Sequence, residues 1–328
     1  SLIAGKNKTG LISSTSGATI DGIRYAGTIR GRQAEIAETK NLKDVISDIA
    51  DENLILNLPI EIPLGATDID IKITGDYKYS NSSTTIKIGD KTFNDGHFEY
   101  ITTDKINQLV VEKSSYDALT LTNIKYELKY NNSITSLIAA SNNIEIKNSY
   151  SKGKIIGDNL TSGIIGVASG NTSIKNTYTL ADVNSKKNAS GIIGATQSAN
   201  LDFEQTYSSA NLKALEEASG LISNIDEKTT GIIKNSFTTG TIDSSNSSNF
   251  IDINLSQNLI STNNYTTLNK TNILTPNVTY VTENQLLTTN FIKNTLQFLE
   301  YNSENSLAND NVWLINNQKL PHLYTDDQ

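Results

Sequence analysis

The sequence predicts an all-β protein whose main part is a β-helix, a solenoid built from coils of about 28 residues. Three observations predict it. A tetrad of the pattern small-apolar-apolar-small recurs after 27 to 29 residues, an aromatic residue follows each tetrad by 14 to 17 residues, and the aromatics themselves recur after 28 to 30 residues. Units of this length that cannot bury a core alone are typical of stacked coils. We therefore expect the apolar doublets and the aromatic rings to line the inside of the coils.

The repeat occurs once near the N-terminus and five times in the second half of the chain. The N-terminal copy begins at Gly10 and has Tyr25 as its aromatic residue. This distribution predicts solenoid coils over residues 1–31 and 133–270. The other five copies begin at Ser136, Gly163, Gly191, Gly220 and Asn249, and their aromatic residues are Tyr150, Tyr178, Tyr207, Phe237 and Tyr265.

Each unit has the composition of strands and turns. Its apolar residues come in pairs or alternate over short runs that Gly, Asn, Ser and Thr interrupt, which is not the 3.6-residue period of a helix. A coil of this length has room for three strands of about five residues and three corners. The alternative is a β-sandwich with evenly spaced hairpins, although hairpins do not require near-identical units.

The motif also carries a family resemblance. The tetrad G-[IL]-[IV]-G, followed by a run that begins I-x-N-[ST]-[YF] at residues 146–150 and 174–178, resembles the GLUG motif of bacterial surface and secreted proteins. Similar regions occur in filamentous-haemagglutinin-like adhesins, in autotransporter passengers and beside immunoglobulin A peptidases. The resemblance implies the solenoid scaffold, which unrelated proteins share, and therefore says little about function.

Residues 32–132 lack the repeat and are expected to form an excursion from one coil. Leu42, Val45, Ile46 and Ile49 follow helical spacing and predict a short helix. Alternation then predicts a small antiparallel β-sandwich with strands at 69–73, 84–88, 97–102, 108–113, 118–124 and 125–130, and with turns at Gly75-Asp76, Gly89-Asp90 and residues 94–96.

Residues 271–328 are expected to form a C-terminal cap. The open end of a solenoid is a row of unpaired strand edges that invites aggregation, so a covering segment is expected there. We expect a helix over residues 284–299. Trp313, the only tryptophan, is expected to cover the last coil, and His322 is expected to be a packing residue.

Composition restricts the function classes. The net charge is −8 without a basic stripe, which excludes nucleic acid as the expected partner. No apolar run approaches the roughly 18 residues that span a bilayer, and the absence of cysteine excludes disulfides and thiolate chemistry. The absence of methionine indicates an internal fragment or a processed product. The abundance of Asn, Ser and Thr indicates a cell-surface or secreted location, extracellular and associated with an outer membrane.

Four tyrosines of the excursion are candidate ligand contacts. Tyr77 and Tyr79 share one face of a strand, and Tyr126 and Tyr130 share one face of another. Aromatic faces are platforms for sugar rings and for protein contacts. The alternative is that these rings pack in the core of the sandwich.

Asp95, His97 and Glu99 are the other candidates, because period-two spacing would place them on one strand face. Three such side chains could contact a ligand or hold a metal. The alternative is a turn followed by a strand with its polar side chains outward. That alternative is the expected one, so no metal site and no cofactor is predicted.

A glycosidase or lyase would require acidic pairs that face one groove. Asp68 with Asp70, and Asp202 with Glu204, have the required spacing, but any strand with outward polar residues produces such pairs. No H-E-x-x-H, G-x-S-x-G or phosphate-binding motif occurs. We therefore predict no catalytic residues.

These inferences predict a non-catalytic fragment of a bacterial surface or secreted adhesin. Its β-helical stalk would present the excursion to a glycan or protein on a host or bacterial surface. Two alternatives stay open: a spacer or sheath subunit that associates with itself, and a polysaccharide-degrading enzyme built on a β-helix.

Overall fold

The computed structural model describes residues 8–31, 34–62, 66–304 and 310–326. Strand makes up 58% of the chain and helix 4%, so the all-β prediction is confirmed. The chain forms two compact units, and the divisions between them fall after Gln33 and after Asn132. One unit is a solenoid followed by a C-terminal segment, described over residues 281–304 and 310–326, and the other is the excursion, residues 34–132.

The solenoid has about five coils over residues 134–266, built from three parallel sheets. The first sheet contains Lys8–Thr9, Ile134–Thr135, Leu160–Ser162, Asn188–Ser190, Glu217–Ser219 and Asn246–Ser248. The second contains Thr15–Asp21, Arg24–Tyr25, Ile138–Ser151, Ile165–Thr179, Ile193–Glu204, Tyr207–Ser208, Ile222–Ile225, Thr230–Lys234, Phe237–Thr238, Ile251–Asn254, Asn258–Thr262, Asn264–Thr266 and Val278–Tyr280. The third contains Thr28–Arg30, Lys154–Gly157, Asp182–Ser185, Asn211–Ala214 and Thr241–Asp243. Because neighbouring coils pair in parallel, the hairpin alternative is wrong.

The apolar doublets of the five later copies line the inside of the coils, as predicted, whereas Leu11 of the N-terminal copy is 54% exposed. Ile138, Ile165 and Ile193 pair in register, and each is 0% exposed. The glycine that opens the three central tetrads, at 163, 191 and 220, is required sterically. A Cβ atom at Gly191 would overlap the carbonyl oxygen of Gly220 in the next coil. Only glycine allows that approach without a backbone shift.

Five of the six predicted aromatic residues form a column on the outside of the coils, so their predicted place inside is wrong; Tyr25 alone packs against the interior core, as predicted. The five outer rings belong to a separate cluster with the C-terminal segment. Successive rings lie 5.5, 4.9 and 4.5 Å apart along the series Tyr150, Tyr178, Tyr207 and Phe237.

A left-handed residue explains this placement. The residue two positions before each ring of the column has φ between +49° and +53°, which interrupts the alternation of the strand. The Ser, Thr or Asn between them then faces inward with at most 1% exposure, and the ring faces outward. The left-handed residues are Asn148, Asn176, Gln205, Asn235 and Asn263.

The C-terminal segment packs along the side of the coils. Trp313 therefore does not cover the last coil, and that prediction is wrong. The Trp313 ring lies 5.8 Å from Tyr178 and 6.0 Å from Tyr207, and its Nε1–H donates to Asn176 Oδ1 at 3.0 Å. The predicted helix over 284–299 is found as two short pieces. The segment consists of the α-helix Glu283–Leu286, the π-helix Phe291–Thr295 and a ribbon of Trp313–Leu314 with His322–Leu323, in which His322 is half-buried.

The excursion is an antiparallel β-sandwich, as predicted. One sheet contains Ala34–Asn41, Val45–Ser47, Thr67–Tyr79, His97–Thr102 and Leu119–Asn132, and the other contains Leu54–Asn57, Ile86–Ile88, Lys91–Phe93 and Gln108–Lys113. Side chains of both sheets form one apolar core.

Three local predictions in the sandwich are wrong. The predicted strands 118–124 and 125–130 are the single strand Leu119–Asn132, which absorbs a register shift between Thr122 and Lys125. Residues 42–49 form the strand Val45–Ser47 instead of a helix, since Ile46 and Ile49 are 63% and 54% exposed and only half of the apolar pattern meets the core. Gly75 lies within a strand and not in a turn. The Phe98 ring crosses so closely above it that a Cβ atom would come within 2.7 Å.

Candidate functional site

The four predicted tyrosines lie in the core of the sandwich. The exposures are 6% for Tyr77, 2% for Tyr79, 3% for Tyr126 and 4% for Tyr130. Burial raises the pKa of the Tyr77, Tyr126 and Tyr130 hydroxyls. These rings cannot form an open platform, so the prediction of direct ligand contact is corrected to core packing.

Asp95, His97 and Glu99 do not converge. The Asp95 carboxylate accepts the backbone N–H of His97 at 3.1 Å, which shapes the turn, and Glu99 lies 3.6 Å from Lys72 Nζ. This is the alternative arrangement, a turn followed by a strand with outward polar residues. Within residues 8–31, 34–62, 66–304 and 310–326, no group of three His, Asp or Glu side chains is placed to hold a metal.

His97 instead joins a surface network with two residues that the sequence reasoning did not select for function. Its Nδ1 atom lies 2.8 Å from Asp76 Oδ1, and Asn123 Nδ2 donates to Asp76 Oδ2 at 2.8 Å. The hydrogen bond from Asn123, and then that from His97, lower the pKa of Asp76. The network joins neighbouring strands at the surface and encloses no cleft.

The best candidate site in the sandwich is a cleft of about 210 Å³ between two loops. One loop, residues 50–53, contributes Asp51, Glu52 and Asn53. The other, residues 113–116, contributes Lys113 and Tyr116. The Tyr116 side chain is 75% exposed at the rim. We call this the Tyr116 cleft.

Hydrogen bonds hold the 113–116 loop in place from below. The Tyr79 hydroxyl accepts the backbone N–H of Ser114 at 2.8 Å and donates to the carbonyl of Thr85 at 2.9 Å. Asn81 Nδ2 donates to Ser115 Oγ at 3.2 Å. Tyr79, a predicted contact residue, thus has a positioning role in this loop.

A second set of bonds ties the two loops together. Asn53 Oδ1 accepts the backbone N–H of Lys113 at 3.3 Å, and Lys113 Nζ donates to the carbonyl of Ile49 at 2.9 Å. Asp51 and Glu52 form no ion pair with any described residue. Free carboxylates beside an exposed ring are suited to binding hydroxyl groups of a ligand whose apolar face covers the ring.

Sequence reasoning missed Tyr116, because it lies in the loop run Ser114-Ser115-Tyr116-Asp117 and not in an alternating strand. The available signal was a large aromatic residue among small polar ones, where no core position is expected.

Fold and cleft together define an all-β protein in which the chain of a parallel β-solenoid is interrupted by a β-sandwich that carries the Tyr116 cleft. No protein-family model, no curated protein and no solved structure matches the chain. The resemblance to GLUG-containing adhesins therefore rests on the motif alone. In the part of the chain that the structure describes, no helix is long and apolar enough to cross a membrane.

Proposed function

We propose that this chain is a non-catalytic part of a bacterial surface or secreted adhesin, and that the Tyr116 cleft binds a saccharide on a host or neighbouring cell. The observation that carries the proposal is the 75% exposed Tyr116 ring on the rim of a polar cleft. The solenoid contributes length and stiffness: five coils at the strand spacing of about 4.8 Å extend roughly 24 Å.

The loops that carry the cleft support a binding role because they are ordered before any ligand arrives. The bonds from Tyr79 to Ser114 and from Asn53 to Lys113 fix both walls. A preorganised site loses less conformational entropy on binding, and tyrosine provides contact area with few rotatable bonds.

The charges of the cleft specify the class of saccharide. Asp51 and Glu52 are exposed acceptors for hydroxyl or ammonium groups, and they would repel a carboxylated sugar. A neutral or amino sugar is therefore the expected ligand, with its C–H face on Tyr116.

The test is a glycan array with the full chain, followed by calorimetry on the best hits. We expect Tyr116→Ala to weaken binding by about tenfold or more, since loss of a stacked aromatic contact costs on the order of 1.4 kcal/mol. Tyr280→Ala is the matched control, because Tyr280 is 49% exposed in the other unit. The proposal fails if no glycan binds, or if both variants bind as well as the unaltered chain.

A structural spacer is the second candidate, favoured by the last coil. Among the described residues, the strand Asn258–Thr262 has a strand partner on one side only, and its Ile260 side chain is 60% exposed. Such an edge can pair with another chain. Concentration-dependent mass in light scattering that disappears in Ile260→Lys, without glycan binding, would favour this candidate over adhesion.

A further inference from the structure

A second cleft, of about 240 Å³, lies on the solenoid unit where the C-terminal segment crosses the first two coils. The coils contribute Arg24 and Lys147 to one wall. The C-terminal segment contributes Val312, Leu323 and Tyr324 to the other. We call it the Arg24 cleft.

Arg24 occupies the N-terminal end of the aromatic column. Tyr150 pairs in register with Arg24 on one side and with Tyr178 on the other, so the arginine stands where later coils have a ring. The C-terminal segment covers the column as far as Tyr178, whose hydroxyl donates to the buried carboxylate of Asp326. Arg24 lies beyond this cover and is exposed, which leaves the cleft open at its end.

The acidic side chains of the cleft are partnered. Asp21 Oδ1 accepts Asn148 Nδ2–H at 3.0 Å, and Asp310 Oδ2 lies 3.3 Å from Lys175 Nζ. Lys175 partly balances the charge of Asp310, whereas Asp21 keeps its negative charge, because a hydrogen bond from a neutral amide does not neutralise a carboxylate.

The basic side chains are less well partnered. Among the described residues, the Arg24 side chain has no ion pair and no hydrogen bond. Lys147 Nζ has one carboxylate within 4 Å, that of Glu145 at 3.9 Å, and Lys147 pairs in register with Asp21 of the first coil. Two cations on adjacent coils are thus available for an anion. A guanidinium group binds a carboxylate through two parallel hydrogen bonds.

The rest of the cleft is suited to a ring-shaped ligand. The Tyr324 ring is stacked on Tyr301 at 4.2 Å, which fixes its orientation, and Leu323 adds apolar surface. Gly22 also lines the cleft, and its φ of +85° disfavours a residue with a side chain at that position.

From this geometry we infer that the Arg24 cleft binds a carboxylated saccharide of the uronic acid class. Arg24 holds the carboxylate, Lys147 adds the second positive charge, and Tyr324 receives the face of the sugar ring. This site is independent of the Tyr116 cleft: it uses different residues and selects the opposite charge.

The test uses the full chain with D-glucuronate, D-glucose and inorganic phosphate as probes, followed by ligand-observed NMR and calorimetry. We expect glucuronate to bind about tenfold tighter than glucose, and Arg24→Gln or Lys147→Gln to remove most of that preference. Added salt should weaken glucuronate binding, because the cations are exposed. Arg30→Gln is the matched control, an exposed arginine in the same coil.

Three results would overturn the inference. One is an absence of glucuronate binding, and another is binding that Arg24→Gln and Arg30→Gln reduce equally. The third is inorganic phosphate binding as tightly as glucuronate, which would remove the role of the sugar ring. Tyr116→Ala must leave glucuronate binding unchanged, so failure of the adhesin proposal and failure of this one are distinguishable.

Discussion

Replacing Trp313 tests whether the C-terminal segment holds the side of the solenoid. Trp313 is 0% exposed and packs 4.7 Å from Phe298 in addition to the rings of Tyr178 and Tyr207. Trp313→Ala removes this packing at a cost of about 3–5 kcal/mol. It also removes the donor to Asn176, which is 1% exposed, and a buried acceptor left unsatisfied adds about 1–3 kcal/mol.

Trp313→Phe separates the two contributions, because it keeps much of the packing and loses the hydrogen bond. We expect it to be destabilised by less than half as much as Trp313→Ala in urea unfolding followed by circular dichroism. Amide hydrogen exchange locates the change. In Trp313→Ala, exchange should rise in the C-terminal segment and at the strand ends around residues 176–179 and 205–208.

The reasoning is refuted if exchange rises only in the last coil, residues 249–266. That result would mean that Trp313 covers the end of the solenoid and not its side. Equal stability of the two variants would show that the hydrogen bond to Asn176 outweighs the packing.

Three further predictions follow from buried or crowded groups. Burial and the nearby charge of Asp252 raise the pKa of Glu217, and burial raises the pKa of Asp252. The free energy of unfolding should therefore fall as pH rises above about 4, and Glu217→Gln should reduce that fall. Gly191→Ala should destabilise the solenoid by about 1–3 kcal/mol in urea unfolding, since the added carbon overlaps the next coil. Tyr79→Phe should increase amide exchange at Ser114, whose N–H loses its acceptor.

Each of these predictions has a control within the chain. Glu216→Gln should leave more of the pH dependence than Glu217→Gln, because the charge of Glu216 contributes least to the raised pKa of Glu217. Gly17→Ala should cost less than Gly191→Ala, because its added carbon meets no atom within 4 Å and only the strain of its φ of +65°, about 1–2 kcal/mol, remains. Tyr130→Phe should leave exchange at Ser114 unchanged. A reversal of any of these orders contradicts the corresponding argument.

The solenoid was predictable from sequence because its core obeys a local rule repeated in every coil. Ile165 and Ile193 lie in the same sheet register and face the same interior, so spacing alone locates them. The aromatic column was misplaced because Asn176 adopts φ of +49° two residues before Tyr178. Period-two reasoning assumes extended backbone and fails across such a residue.

The sandwich was predictable as strands but not as a site. Alternation located His97–Thr102 and Gln108–Lys113 with their observed bounds. It could not assign a face to the interior, because both faces of a strand such as Thr67–Tyr79 carry plausible contact residues. Tyr79 proved to be core, and Tyr116 was missed because loops have no periodicity.

The junction of the excursion has a further consequence. Ala34 and Asn132 are paired across adjacent strands, so the excursion enters and leaves at nearly one point. Thr28–Arg30 accordingly stacks on residues 154–156 in unbroken register, although the sandwich separates them in the chain. The sandwich could therefore be replaced by another domain with neighbouring termini, or deleted and bridged by a short linker. In both cases the coils of the solenoid would keep their stacking order.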